Sequence, residues 1–148
     1  MAETRAHVMI VEARFYEPLA DELVRGAVAA LEKAGVTYER FAVPGAFEIP
    51  GAISFGIASG RFDGYVALGC VIRGETSHYD YVCGESARGL QDLALRHNAA
   101  IGYGILTVEN EEQAWVRARV NDGNKGGDTA GACLAMIAHK RTLGLPAR

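Results

Sequence analysis

Residues 73–78 read Arg73-Gly74-Glu75-Thr76-Ser77-His78, a glycine-bearing turn between an apolar run and a helical stretch. At the start of a helix, the N–H groups near Glu75 and Thr76 can point at an anion with the helix dipole behind them. The same glycine also suits an ordinary turn. The segment has neither the G-x-x-x-x-G-K-[ST] of a P-loop nor the G-x-G-x-x-G of a dinucleotide fold, so nucleoside triphosphates are not expected. His78 closes the turn, and an imidazole titrating near neutral pH suits proton transfer. The helix N-terminus disfavours imidazolium there, whereas a bound phosphate favours it. The plainer alternative is a helix-start histidine with a solvent or backbone partner, which is how His7, His97 and His139 are read.

Other chemistry is narrower. A metal site from His78, Asp80, Cys83 and Glu85 is not expected, because positions 78 and 80 point to different helix faces and no second ligand cluster exists. A Cys70/His78 nucleophile pair stays open, since a cysteine at a strand end near a histidine is a workable geometry. A response-regulator phosphoacceptor site is not expected, because it needs its carboxylates at the strand ends, where this chain has Glu12-Ala13-Arg14 and Cys70. Phe15, Phe47 and Tyr103 each fall at or just beyond a strand end, where a ring can stack on a planar ligand or pack into the core. Glu48 stands in an apolar loop and would need a polar partner if covered, a polyhydroxy ligand being one candidate. Arg117 and Lys125 flank Gly123-Asn124-Lys125-Gly126-Gly127, where glycines permit close backbone approach; both cations are equally at home on solvated surface.

These residues need a frame that brings strand ends together. Residues 7–12 read as a buried strand, and a helix follows with Pro18 in its first turn, Leu19, Leu23, Ala27, Ala30, Leu31 and Ala34 at helical spacing, and Gly35 as its stop. Residues 38–43 form a second strand, 46–60 a helix loosened by Gly51 and Gly56, and 64–72 a third strand. Residues 78–97 form a helix with Cys83, Ala87, Leu90 and Ala94 on one face. Residues 100–108 make a fourth strand, and 110–119 a helix opened by an Asn-x-x-Gln variant of the capping box. A last helix lies between residues 125 and 143, stopped by Gly144. Strands alternating with helices predict one domain over residues 1–148, a four-stranded parallel sheet covered on both faces by right-handed crossovers. Ligands of such sheets sit beyond the carboxyl ends of the strands, so residues 13–16, 44–50, 70–78 and 103–110 are the stretches to inspect.

Composition narrows the partners. A net charge of −3 offers no global field for nucleic acid or an anionic membrane, so any anion must be held locally. The start, Met1-Ala-Glu-Thr-Arg-Ala-His7, lacks a basic region followed by an apolar stretch of signal-peptide length. No apolar run approaches the ~18 residues of a membrane span. Cys70, Cys83 and Cys133 leave an odd thiol under any disulfide scheme, favouring a reducing compartment. A cytoplasmic protein is the expectation.

Val43-Pro-Gly-Ala-Phe-Glu-Ile-Pro50, Leu68-Gly-Cys-Val-Ile-Arg-Gly-Glu-Thr-Ser-His-Tyr-Asp-Tyr-Val-Cys83 and Gly123-Asn-Lys-Gly126, in this order and spacing, resemble the 6,7-dimethyl-8-ribityllumazine synthase family of riboflavin biosynthesis. The resemblance runs over residues 7–136. It implies a flavodoxin-like three-layer α/β/α domain that condenses a ribitylaminouracil with a four-carbon ketone phosphate, using neither metal nor organic cofactor. It implies that Phe15 stacks on the pyrimidine, that Ala46, Phe47, Glu48, Cys70, Val71 and Ile72 line its pocket, and that Glu48 meets ribityl hydroxyls. The Glu75 and Thr76 amides and Arg117 would hold phosphate, with His78 as the proton-transfer residue and Lys125 near phosphate and ketone. It further implies a pentamer or a multiple of pentamers, with Tyr103, Arg117 and Lys125 contributed by the neighbouring subunit. Two departures stand out. Tyr103 replaces a frequent phenylalanine, and Arg119-Val-Asn-Asp-Gly-Asn124 differs from the Gly-Thr-Lys-Ala-Gly-Asn loop that accompanies icosahedral shells.

Overall fold

The computed structural model describes residues 5–148; residues 1–4, the beginning of the segment read above as carrying no leader, lie outside the described residues. The chain runs β1 (His7–Ala13), α1 (Glu17–Lys33), β2 (Thr37–Val43), a 3₁₀ turn (Ala46–Glu48), α2 (Ile49–Ser59), β3 (Gly64–Ile72), α3 (His78–His97), β4 (Ile101–Val108), α4 (Glu111–Ala118) and α5 (Lys125–Thr142). The four strands form one parallel sheet in the order β2-β1-β3-β4. Among the described residues no helix is long and apolar enough to cross a membrane.

The period-2 alternation of each strand sorts its residues between two helical layers. Val8, Ile10, Val66, Leu68, Leu106 and Val108 pack with residues of α1, α4 and α5 on one face. Met9, Val11, Tyr65, Ala67 and Ile105 pack with residues of α2 and α3 on the other. This is the expected flavodoxin-like three-layer arrangement. Its order has a consequence for the site: the chain leaves β1 toward β2 over one face and returns past β1 to β3 over the other. The carboxyl ends of β1 and β3 therefore flank the point where connections diverge, and a crevice opens there.

Two sequence readings change. Residues 46–60 are not one helix: Pro50 lacks an N–H and is tolerated only in a first turn, so the α-helix starts at Ile49 and the residues before it form the 3₁₀ turn. Gly56 does not loosen α2, because a Cβ there would meet Met9 Sδ, so the glycine lets α2 lie close on β1. On α3 the buried stripe is Val82, Ser86 and Leu90, with Cys83, Ala87 and Ala94 only half-buried at its side. The α4 cap is as read, with Asn110 Oδ1 accepting from Gln113 N (2.9 Å), but Gln113 Oε1 reaches back to the N–H of Glu109 rather than of Asn110 (2.8 Å).

The layer of α1 and α5 depends on one close crossing. A Cβ on Gly126 would collide with the Leu23 carbonyl oxygen, so only glycine lets α5 lie against α1 at that point. Gly126→Ala is expected to lower unfolding free energy by about 1–3 kcal/mol through overpacking. Gly131, in the same helix with open space at its Cβ, is the control: Gly131→Ala should raise stability by about 0.5–1 kcal/mol. Chemical denaturation of both variants checks the pair.

Candidate active site

A cleft of about 610 Å³ opens at the carboxyl edge of the sheet. Phe15 and Tyr16 reach it from the β1–α1 loop; Pro44, Gly45, Ala46, Phe47 and Glu48 from the segment after β2; Cys70, Val71 and Ile72 from the end of β3; and Gly74, Thr76, His78, Tyr79 and Val82 from the next turn and α3. Nine of the residues expected from sequence thus come together in one chain: Phe15, Ala46, Phe47, Glu48, Cys70, Val71, Ile72, Thr76 and His78. Phe15 and Phe47 expose 74% and 56% of their surface, so neither ring is spent on the core. Exposed aromatic faces beside an apolar wall suit a planar ligand.

The polar groups are few. His78 is exposed, and its ring has no hydrogen-bond partner among the described residues; only its backbone N–H is held, donating to Thr76 Oγ1 at 3.3 Å. The N–H groups of Glu75 and Thr76, just before α3, donate to nothing among the described residues, which leaves them available to an anion. Glu48 is exposed rather than covered, and its Oε1 accepts from Gly45 N–H (3.0 Å), so a local bond already meets the need for a polar partner and Oε2 is left for a ligand. Burial first, then nearby Cys83, raises the Tyr79 phenol above its ordinary range.

The cations tell a different story. Arg73, next to the anion seat, is committed: its Nε donates to Glu109 (2.7 Å), its Nη1 lies 3.5 Å from Asp80, and its guanidinium stacks over Tyr79 at 4.2 Å. Arg117 and Lys125 do not line the cleft. Arg117 is exposed on α4 and donates Nη1 only to its own helix, at the Gln113 carbonyl (2.9 Å). Lys125 is the first residue of α5, with no carboxylate partner among the described residues. Tyr103 also lies outside the cleft, on the edge strand β4 and on the α3 face of the sheet; burial, then nearby Cys83 and Tyr79, raises its phenol above the ordinary range. Four expected residues do not line this cleft: Glu75 in the turn before α3, and Tyr103, Arg117 and Lys125, the three that the resemblance assigns to a neighbour.

Of the lining residues, Tyr79 and Val82 fall outside the stretches that the sequence singles out. His78 and Val82, four apart on one helix face, carried the signal for the last. Nothing in the sequence marked the capture of Arg73 by Glu109, 36 residues away.

A parallel α/β sandwich of this order, with an aromatic-lined cleft at its switch point, is a flavodoxin-like fold with a cleft suited to a small molecule. The chain belongs to the 6,7-dimethyl-8-ribityllumazine synthase family, whose pattern matches residues 5–141. It is 57% identical over 141 residues to the 6,7-dimethyl-8-ribityllumazine synthase of Bartonella tribocorum, covering 95% of this chain and 93% of that one. It is 54% identical over 143 residues to 6,7-dimethyl-8-ribityllumazine synthase 1 of Rhizobium meliloti (93% and 94% covered). Its identity to the Agrobacterium fabrum 6,7-dimethyl-8-ribityllumazine synthase is 53% over 146 residues (95% and 99%).

The Cys70/His78 nucleophile pair loses its basis in the thiol itself. Burial first, then Cys83 and Glu111, push Cys70 up from 9.0 to about 12. At pH 7.5 that lowers its thiolate fraction about a thousandfold below that of an ordinary cysteine. Iodoacetamide at this pH is expected to leave Cys70 unmodified and turnover intact, with alkylation appearing once the chain is denatured; peptide mapping against residual activity checks it.

Proposed function

We propose that this chain condenses 5-amino-6-(D-ribitylamino)uracil with 3,4-dihydroxy-2-butanone 4-phosphate to 6,7-dimethyl-8-ribityllumazine, releasing phosphate and water. The observation that carries the reading, beside family membership, is the cleft. It offers aromatic faces for a heterocycle, an unengaged histidine, and unpaired amides at the start of α3 for a phosphate.

The chemistry asks little more. The amine of the pyrimidine substrate attacks the ketone and forms the imine, so no enzyme nucleophile is required. Holding two reactants together removes much of the entropic barrier. Phe15 stacks on the pyrimidine, Ala46, Phe47, Cys70, Val71 and Ile72 close around it, and Glu48 Oε2 accepts from ribityl hydroxyls. The Glu75 and Thr76 amides take the phosphate oxygens. His78 moves protons as imine formation, phosphate loss and ring closure proceed.

A departing phosphate also needs a cation, and the cleft of one chain offers none that is uncommitted. Arg117 and Lys125 fill this role from a neighbouring copy, with Tyr103 of that copy closing the pocket, so the working unit is a pentamer or a multiple of pentamers. Charge-assisted bonds from a guanidinium are the stronger kind, which suits Arg117 to phosphate.

Mixing the purified protein with both substrates and following lumazine absorbance tests the assignment. Product above the uncatalysed background is expected, whereas binding of product without formation of it would mark a carrier. His78→Ala should lower kcat by about 10²–10⁴-fold with little loss of substrate binding; an unchanged kcat removes the proton-transfer role.

A further inference from the structure

The β1–α1 loop consists of Arg14, Phe15 and Tyr16, and it is clamped from three sides. Arg14 N–H donates to the Val43 carbonyl at the end of β2 (3.0 Å). Arg14 Nη1 donates to Glu12 Oε1 (2.9 Å) and Nη2 to Asp21 Oδ1 on α1 (2.5 Å). Glu12 is 3% exposed and is also held by Arg40 Nε (2.9 Å) and Nη2 (2.8 Å). A carboxylate buried this deeply costs desolvation energy, and an apolar residue would serve stability as well or better. Helix α1 does not need the clamp to stay on the sheet, because Leu19, Leu23, Ala27 and Leu31 already bury it there.

The loop is where orientation is otherwise undetermined. Phe15 is 74% exposed, and among the described residues its one aromatic contact is edge-on with Tyr16, ring centroids 4.9 Å apart. A ring this exposed has little packing to hold it, so the course of the loop backbone governs where it stands. We propose that Arg14, braced between buried Glu12 and Asp21, is a positioning residue that fixes the Phe15 ring over the cleft for the pyrimidine substrate. The proposal rests on the reading of Phe15 as the stacking face.

Arg14→Met removes both arms of the brace yet leaves Glu12 its two bonds to Arg40, so no buried charge is orphaned. Arg40→Met removes two of Glu12's three bonds and touches nothing in the loop. A purely structural role would treat the two variants alike. The test is a double-mutant cycle of wild type, Phe15→Ala, Arg14→Met and the double variant, with Arg40→Met as control, measuring KM for each substrate and kcat. Arg14→Met is expected to raise KM for the pyrimidine about tenfold, the scale of one lost aromatic stack. KM for the ketone phosphate should stay within about twofold, and so should the pyrimidine KM of Arg40→Met and the further change when Arg14→Met is added to Phe15→Ala.

Equal effects of Arg14→Met with and without Phe15, or equal effects of Arg14→Met and Arg40→Met, would overturn the brace. A Phe15→Ala variant with unchanged pyrimidine KM would instead overturn the stacking reading, and the proposal with it. If Arg14→Met does not fold, Arg14→Lys carries the same expectation, since one ammonium cannot span both carboxylates as a guanidinium fork does.

Discussion

Parallel strands can be joined only by crossovers, and a right-handed crossover commits each helix to a face according to the direction in which the chain moves. Here α1 carries the chain from β1 to the outer strand β2, and α2 carries it back past β1 to β3 on the opposite face. Between the carboxyl ends of β1 and β3 no helix can cover the sheet. Every lining residue of the cleft follows from that: Phe15 and Tyr16 because they leave β1, residues 44–48 because they leave β2, and Cys70 to His78 because they leave β3 and enter α3. The small-residue contact at Gly126 serves the same frame, since it lets α5 lie close against α1.

Charge is distributed around this frame with a pattern. Arg14, Arg40, Arg61, Arg73, Arg88, Arg96 and Arg148 each face a carboxylate. Among the described residues Arg5, Arg117 and Arg119 have no carboxylate partner; Arg117 rests on a carbonyl of its own helix and Arg119 lies over the Trp115 ring. Neutralised arginines contribute little to holding a phosphate, whereas Arg117, exposed and outside the cleft of its own chain, keeps its charge for one. The proposed shared site accounts for both facts. It also accounts for a cleft that, among the described residues, offers amides and a histidine to an anion but no lysine or arginine in its lining.

Much of the fold was legible because its signals are local. The limits of β3 and α3 follow from apolar runs and glycine punctuation, and Gly35 and Gly144 stop helices in the left-handed conformation that favours glycine. The 3₁₀ turn was not legible, because an apolar stretch containing Pro50 reads as a helix until its first turn is placed. The cleft could be located from strand ends alone, and most of its residues with it. Glu12 drew no reading of its own, since its partner Arg40 is a neighbour only once β2 is known to lie beside β1. The positions of Arg117, Lys125 and Tyr103 outside the cleft could not be read from periodicity, which sorts residues by face but not by distance along the sheet edge.

The central claim is that one copy supplies His78 and another supplies Arg117 to a single site. Co-expressing His78→Ala and Arg117→Ala chains under two different tags, purifying the mixed assemblies, and assaying them at subsaturating ketone phosphate measures this directly. A shared site predicts recovery toward about one quarter of the wild-type rate on random mixing, because that fraction of sites joins two intact halves. Activity no greater than the sum of the two separate variants would place both residues in the same chain's site and contradict the account.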